Sequence, residues 1–246
     1  MPAGRDTTAA IIVVGNEILT GKVVDTNAAF LARELHALGV ALERIVVIPD
    51  DIDVIADTVR KYHPRYDAIF TSGGVGPTHD DVTIAGVARG LNRRVVHNVV
   101  LEEKIREFAG ATLSPALLKM SETPDGAELV FGGKLKFPTV CVENVYILPG
   151  IPELFEDKFL AIKHRFEGAP FHLRVLYTRE FETTIAEPLN QTLAAFPALQ
   201  LGSYPKMNEP DYRVRVTLES KDREYVERAL AHLVSLLPPD AVVRTE

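Results

Sequence analysis

The chain has 246 residues, of which 46% are hydrophobic and 25% are charged, so it can bury the core of one large domain or of a medium domain with a small one. The formal net charge is −7, whereas nucleic-acid-binding proteins usually carry a basic surface, so no nucleic-acid partner is expected. The single cysteine, Cys141, excludes an internal disulfide, and no stretch is apolar enough for a membrane span or a signal peptide, so we expect a cytoplasmic protein without a membrane partner.

The first third of the chain alternates strand and helix patterns. Residues 9–14 form a continuous apolar run, which is typical of a strand buried on both faces. Further strands are predicted over 44–48 and 68–71, with a helix between each pair of strands and another over about 80–91. This order predicts a mostly parallel sheet with helices on both faces, which is a three-layer α/β fold.

The middle of the chain continues the same pattern less regularly. The predicted elements are a helix over 99–120 with a break near Ser114, a turn over 131–134, and a helix from Pro152 to about 166. Between them, 140–142 and 145–148 are predicted as two strands of a hairpin or as one interrupted strand.

The pattern changes near residue 168, where Gly168, Ala169 and Pro170 follow one another. The downstream order is strand, helix, two strands, helix and strand, which predicts a smaller α+β domain. We therefore expect two domains, an N-terminal one over 1–168 and a C-terminal one over 169–246. The predicted C-terminal elements are strands over 172–178, 199–204, 212–218 and 241–244, and helices over 183–193 and 222–237. The strand over 212–218 alternates, with Tyr212, Val214, Val216 and Leu218 on one face.

The strongest functional signal is a glycine-rich loop directly after the third predicted strand. Glycine lets backbone N–H groups approach an anion closely, and the predicted helix start behind the loop favours negative charge. The alternative is a tight strand-to-helix turn without a ligand. The loop is not a Walker P-loop, since no Gly-Lys-Ser/Thr follows it. The candidate phosphate-binding residues are Ser72, Gly73, Gly74, Gly76, Pro77, Thr78 and Thr83.

Two adjacent carboxylates, Asp80 and Asp81, lie within this loop. Paired carboxylates beside phosphates are typical of a divalent-cation site, for which Co, Mn or Mg is expected, and one of them can instead orient an attacking water. The alternative is that they only cap the following helix. We take both as candidate catalytic residues and as candidate metal ligands.

Other candidate site residues follow the other predicted strands. Asn16 and Glu17 come after the first strand, where Glu17 is a candidate metal ligand and a local turn is the alternative. Asn27 begins the first long helix, and Pro149 and Gly150 close the hairpin. Because parallel strands end at one edge of a sheet, we expect these residues near the glycine loop.

Together these motifs resemble the molybdopterin-binding (MoaB/Mog-like) superfamily. The resemblance is carried by Gly15-Asn16-Glu17-Ile18-Leu19, by Gly73-Gly74-Val75-Gly76-Pro77-Thr78 with Asp80-Asp81-Val82-Thr83, and by Leu148-Pro149-Gly150-Ile151-Pro152. Within the superfamily the chain is most similar to the CinA-type competence/damage-inducible branch and to the N-terminal half of eukaryotic FAD synthase. The stretch 201–205 extends this similarity into the second domain.

The resemblance implies a divalent-metal-dependent hydrolase of the pyrophosphate in ADP-ribose or FAD, with Asp81 as the first catalytic candidate. The alternatives are a Mog-type enzyme that binds and adenylylates molybdopterin, and a module that binds a nucleotide without catalysis. In each case the partner is a small phosphorylated nucleotide or pterin. Relatives of this kind commonly form homo-oligomers, so an oligomer is expected.

Overall fold

The computed structural model describes residues 7–109, 114–132 and 137–246. The chain divides into two compact units, Met1–Gly168 and Ala169–Glu246. In the described residues, no helix is both long enough and apolar enough to cross a membrane.

The N-terminal unit is an α/β fold. Its strands are β1 (Thr8–Val14), β2 (Ala41–Ile48), β3 (Ala68–Ser72), β4 (Val95–His97), β5 (Glu122–Pro124), β6 (Glu128–Val130), β7 (Thr139–Val142) and β8 (Val145–Leu148). Its helices are α1 (Asn16–Leu19), α2 (Asn27–Ala37), α3 (Ile52–Tyr62), α4 (Thr83–Gly90), α5 (Val99–Ala109), α6 (Pro115–Lys119) and α7 (Pro152–Ile162), with a 3₁₀ turn over Lys163–Arg165.

The main sheet has the strand order β2-β1-β3-β8-β7-β6. Strands β2, β1, β3 and β8 are parallel, whereas β7 and β6 complete the sheet as antiparallel strands. Strands β4 and β5 pair in a small sheet of their own. The predicted mostly parallel α/β fold is confirmed.

Strand β1 shows why the fold has three layers. Ala9, Ile11 and Val13 belong to one buried cluster with the apolar faces of α2 and α7. The intervening residues of β1 belong to a second cluster with the apolar faces of α3 and α4. Because successive side chains of a strand point to opposite faces, a continuous apolar run needs helices on both sides of the sheet.

Some boundaries differ from the sequence expectations. The helix expected from about residue 80 begins at Thr83, and residues 79–82 form irregular backbone. Strands β4, β5 and β6 were not predicted, because three-residue strands carry too little periodicity to detect. The helix predicted over 99–120 consists of α5 and α6, with residues 110–113 outside the described part, and the turn predicted over 131–134 also lies partly outside it.

The C-terminal unit is the predicted smaller α+β domain. Its elements are β9 (His172–Thr178), α8 (Glu182–Ala195), β10 (Gln200–Pro205), β11 (Val214–Ser220), α9 (Arg223–Leu236) and β12 (Val242–Thr245), and its strands form an antiparallel sheet in the order β10-β11-β9-β12. The alternation expected in β11 is present, since Val214, Val216 and Leu218 are buried against α8 and α9.

Candidate functional site

The loops that follow β1, β3 and β8 surround a cavity of about 820 Å³ in the N-terminal unit. These strands are parallel neighbours, so their carboxyl ends meet at one edge of the sheet, where open α/β sheets bind their ligands. The volume lies in the range of small-molecule and cofactor sites. The predicted site residues that line this cavity are Glu17, Asn27, Ser72, Gly73, Gly74, Gly76, Pro77, Asp81, Pro149 and Gly150.

The glycine loop has a backbone that only glycine adopts without strain. Gly73 and Gly74 have φ angles of 101° and 64°, and a Cβ on Gly73 would lie 2.2 Å from the carbonyl oxygen of Val14. The N–H groups of Gly74, Val75 and Gly76 donate to no described residue. Successive backbone N–H groups of this kind form an anion-binding concavity. The loop is therefore suited to a phosphate.

Thr83 supports the loop from behind and does not line the cavity. Its side chain is fully buried, its hydroxyl donates to Gly73 O at 2.8 Å, and its N–H donates to Gly74 O at 3.0 Å. The first N–H of α4 is thus already used within the protein. An anion in the cavity would be held by the loop N–H groups rather than by the first N–H of this helix.

Asn27 joins the loops after β3 and β8. Its Nδ2 donates to Ser72 Oγ at 2.9 Å and to Gly150 O at 2.8 Å, and the side chain is almost fully buried. Its Oδ1 accepts no hydrogen bond from the described residues. Gly73 N also donates to Leu148 O, at 3.2 Å. These contacts fix the two loops at one end of the cavity.

Asp80 and Asp81 converge on a single side chain, that of Thr78. The Thr78 hydroxyl lies 2.5 Å from a carboxylate oxygen of each, and Thr78 N–H donates to Asp81 Oδ2 at 2.8 Å. A hydroxyl has one proton to donate, so the Thr78 hydroxyl can donate to one of the two carboxylates at a time. The other short contact then has no proton between its two oxygens. The hydrogen bond from Thr78, ahead of one from the backbone, holds the pKa of Asp80 below its ordinary value. Asp81 lines the cavity, whereas Thr78 and Asp80 are exposed and do not belong to its lining.

The carboxylate pair fits a cation that a phosphate ligand also coordinates. In the part of the chain that the structure describes, no three His, Cys, Asp or Glu side chains are placed to hold a metal ion. Glu17 lines the cavity, but its carboxylate folds onto its own loop, where a Cβ on Gly15 would lie 2.5 Å from Glu17 Oε1. Mg²⁺ commonly takes one or two protein carboxylates and completes its coordination with phosphate and water. Asp81 and Asp80 match that donor set.

Two lysines of the cavity were not found by sequence reasoning. Lys119, at the end of α6, donates to Thr78 O, which lies beside the carboxylate pair. Lys158, on α7, donates to Phe137 O at 3.0 Å and to Pro138 O at 2.6 Å. Burial lowers the pKa of Lys158 to about 8. Neither lysine belongs to a recognisable motif, so no local signal marks them.

Asn16, unlike the other strand-end candidates, does not line the cavity. Its N–H donates to Asp50 Oδ2 at 2.7 Å, which ties the loop after β1 to the end of β2. Asp51, and not Asp50, caps α3 by accepting from Asp53 N and Val54 N. The predicted residues that do not line the cavity are Asn16, Thr78, Asp80 and Thr83.

Comparison with known families matches the two units separately. Residues 10–166 match the family described as "Probable molybdopterin binding domain". Residues 170–246 match the family described as "FAD synthase, middle domain".

Relatives and a solved structure agree with these matches. A protein from Archaeoglobus fulgidus is 39% identical over 92% of this chain and 96% of its own length. A "Probable FAD synthase" from Caenorhabditis briggsae is 33% identical over 96% of this chain, which spans about half of that relative's length (51%). The crystal structure of CinA from Thermoplasma acidophilum, described as of unknown function, is 32% identical with a TM-score of 0.61, covering 65% of this chain and 98% of that one.

Proposed function

Because the chain belongs to the molybdopterin-binding domain family and its residues 170–246 match the FAD synthase middle domain, we propose that it is a hydrolase. Its substrate would be the pyrophosphate of a nucleotide such as ADP-ribose or FAD, and a divalent metal ion would assist the reaction. The family and the FAD synthase relatives support a nucleotide- or pterin-related function. The hydrolytic reaction and its metal are the further step of the proposal.

One observation carries the proposal: Asp81 lines the same cavity as the glycine loop. The free N–H groups of Gly74, Val75 and Gly76 and the carboxylate of Asp81 line the same cavity. The carboxylate is also close to the loop itself, since a Cβ on Gly76 would lie 2.7 Å from Asp81 Oδ2. A loop that is suited to a phosphate and a carboxylate that can take a proton are therefore adjacent.

The chain's own residues have distinct parts in such a reaction. The loop N–H groups hold the phosphate oxygens and fix the phosphorus. Asp81 orients a water for attack on that phosphorus and takes its proton. The bond from the phosphorus to the bridging oxygen breaks, which releases AMP and a second phosphate ester.

Charge balance accounts for the cation and for Lys119. Two carboxylates beside a pyrophosphate repel it unless positive charge is added. A divalent ion held by Asp81 and Asp80 would stabilise the negative charge that develops on the phosphate oxygens. The ammonium of Lys119, which lies at the same rim, adds a fixed positive charge.

The test measures AMP release from ADP-ribose and from FAD by the purified protein with Mg, Mn or Co and with a chelator. Asp81→Asn keeps the shape of the side chain and removes its charge. Asp57→Asn, on an exposed side chain of α3 that forms an ion pair with Arg60, is the matched control. We expect metal-dependent release in the wild type and the control, and a loss of about 10²- to 10⁴-fold in Asp81→Asn.

Two outcomes reject the proposal. If neither substrate is cleaved with any metal, a pterin ligand or binding without catalysis becomes the better explanation, and titration with a phosphorylated pterin then separates those two. If Asp81→Asn retains wild-type activity, the reaction takes place elsewhere.

The expected homo-oligomer stays a prediction, which a molar mass from light scattering would test.

A further inference from the structure

The sheet of the C-terminal unit has one face that the helices of this unit do not cover. Val214, Val216 and Leu218 of β11, Leu176 of β9 and Leu201 of β10 all pack into the buried cluster that α8 and α9 share. Because successive side chains of a strand point to opposite faces, the residues that alternate with these lie on the other side of the sheet. We call that side the open face.

The central row of the open face alternates aromatic and cationic side chains. Across the four strands it consists of Tyr204, Arg215, Tyr177 and Arg244, which the strand register places opposite one another. The guanidinium carbon of Arg215 lies 4.9 Å from the centre of the Tyr204 ring, and that of Arg244 lies 3.9 Å from the centre of the Tyr177 ring. Both distances are in the range of cation–π contacts. The row is therefore a continuous strip of rings and guanidinium groups.

Tyr204 lies along the sheet and remains accessible. A Cβ on Gly202 would lie 2.7 Å from Tyr204 Oη, so the absence of a side chain at Gly202 leaves room for the ring. Tyr204 is 45% exposed, although it contacts both Gly202 and Arg215. Next to the central row, the guanidinium carbon of Arg213 lies 4.1 Å from the centre of the Phe181 ring, and Phe181 is exposed. The same pairing of arginine and ring thus occurs twice at this end of the open face.

Positive charge is concentrated at this end of the open face. Among the described residues, neither Arg213 nor Arg215 forms an ion pair, whereas Arg244 pairs with Glu246. The other carboxylate that the paired strands place on this face is that of Glu219, four residues along β11 from Arg215, which corresponds to about 13 Å. Two arginines without a carboxylate partner therefore remain available to an anionic ligand.

The combination of charge and rings decides which partner fits the open face. An acidic peptide would pair with the arginines but would not use the planes of the rings. A second copy of the chain, docked by the same face, would bring the arginines of both copies into one interface. The bases of a single-stranded nucleic acid stack on aromatic rings and on guanidinium planes, and its phosphates attract the positive charge. A four-stranded sheet with its helices on the other side is also the platform on which RNA-recognition motifs stack bases.

We infer that the open face binds single-stranded nucleic acid, with Tyr204 and Arg215 as stacking residues and Arg213 as a phosphate contact. The net charge of −7 describes the whole chain, whereas charges more than about 8 Å apart are largely screened at physiological ionic strength. The local charge of the open face therefore decides. The inference does not rest on the proposed hydrolysis, which concerns the N-terminal unit.

The test measures the fluorescence anisotropy of labelled eight-nucleotide oligo(U) RNA and oligo(dT) DNA with the full chain, in a chelator and between 50 and 200 mM salt. Tyr204→Ala removes the ring and Arg215→Gln removes the guanidinium charge. Arg228→Gln is the matched control, because Arg228 lies on α9, on the covered side of the sheet, with its guanidinium carbon 5.8 Å from the centre of the Tyr225 ring.

We expect wild-type protein to bind at least one of the two strands, and the affinity to fall as salt rises. Tyr204→Ala should weaken binding by about 5- to 100-fold. Arg215→Gln should weaken it as well and reduce the slope of log affinity against log salt by about one. Arg228→Gln should stay within about twofold of wild type. Tyr204→Phe retains the ring and should bind like wild type, and with Arg215→Gln it serves if Tyr204→Ala fails to fold.

Four results overturn the inference and leave the proposed hydrolysis untouched, since AMP release is measured separately. The first is wild-type protein that binds neither strand at 50 mM salt. The second is a loss in Arg228→Gln as large as in Arg215→Gln. The third is a duplex of the same length that binds as tightly as the single strand, because its bases are not available for stacking. The fourth is competition by poly-glutamate as strong as by the unlabelled strand, which would show that charge alone is recognised.

Discussion

Removing Lys158 should change how the stability of the N-terminal unit depends on pH. Burial holds the pKa of Lys158 at about 8 in the folded chain, against 10.5 for an exposed lysine. Between these two values the unfolded chain binds more protons than the folded one, so the free energy of unfolding rises with pH. At about 1.36 kcal/mol per pKa unit, this shift raises the free energy of unfolding by about 3 kcal/mol between pH 8 and 10.5. The same amount is lost again as the pH falls.

The experiment compares urea unfolding of the wild type, Lys158→Met and Lys61→Met from pH 7 to 10.5. Circular dichroism is the suitable signal, because the chain has no tryptophan. The chain folds as two compact units, so the transition that Lys158→Met displaces is the relevant one. We expect the difference between wild type and Lys158→Met to change by about 3 kcal/mol over this range, and Lys61→Met, which replaces an exposed lysine of α3, is the control for losing a lysine as such.

The comparison of wild type with Lys158→Met is needed because Cys141 changes the pH dependence of stability in the opposite direction. Burial raises the pKa of its thiol from 9.0 to about 11, so the folded chain keeps a proton that the unfolded chain loses, and stability falls as pH rises through that range. Both proteins contain Cys141, so its contribution cancels. Parallel curves for wild type and Lys158→Met would refute the reasoning, since they would mean that Lys158 titrates like an exposed lysine.

Four further substitutions test the site and its support. Gly73→Ala should lower stability by at least about 2 kcal/mol and weaken phosphate binding, because its φ of 101° and the contact with Val14 O exclude a side chain; unchanged melting and binding would contradict this. Asn27→Ala should lower stability by about 1–3 kcal/mol and reduce ligand affinity, and a loss of stability without a loss of affinity would limit Asn27 to the fold. Phe159→Ala should lower stability by about 3–5 kcal/mol in urea unfolding, since its ring is fully buried. Asp51→Ala should lower it by about 1 kcal/mol without affecting the cavity, and a larger loss would show a role beyond capping α3.

The sequence was most informative where the signal is local. The apolar run of β1, the glycine loop after β3 and the strand hairpin of β7 and β8 are each readable from a few consecutive residues. Alternation along β11 and the order of elements behind residue 168 likewise predicted the smaller domain. These features follow from backbone conformation and from which faces of an element are buried, and both are encoded within the element itself.

The sequence was less informative about the part that each residue plays within the site. Thr83 and Asp81 belong to one motif, yet Thr83 is buried behind the loop and Asp81 lines the cavity. Their difference arises because α4 begins at Thr83, which leaves the residues before it free to turn. The exact start of a helix depends on its packing as well as on its own residues, so it is poorly fixed by sequence.

By itself, then, the sequence determined the order of the longer elements, the family resemblance and the position of the glycine loop at the carboxyl ends of the strands. Only the tertiary structure decided what surrounds that loop: the joining of two loops by Asn27, and the placement of Lys119 and Lys158 in the cavity. The physical reason is distance along the chain. Lys158 acquires its hydrogen bonds from residues 137 and 138 and its lowered pKa from burial, and such contacts exist only once distant segments have packed together.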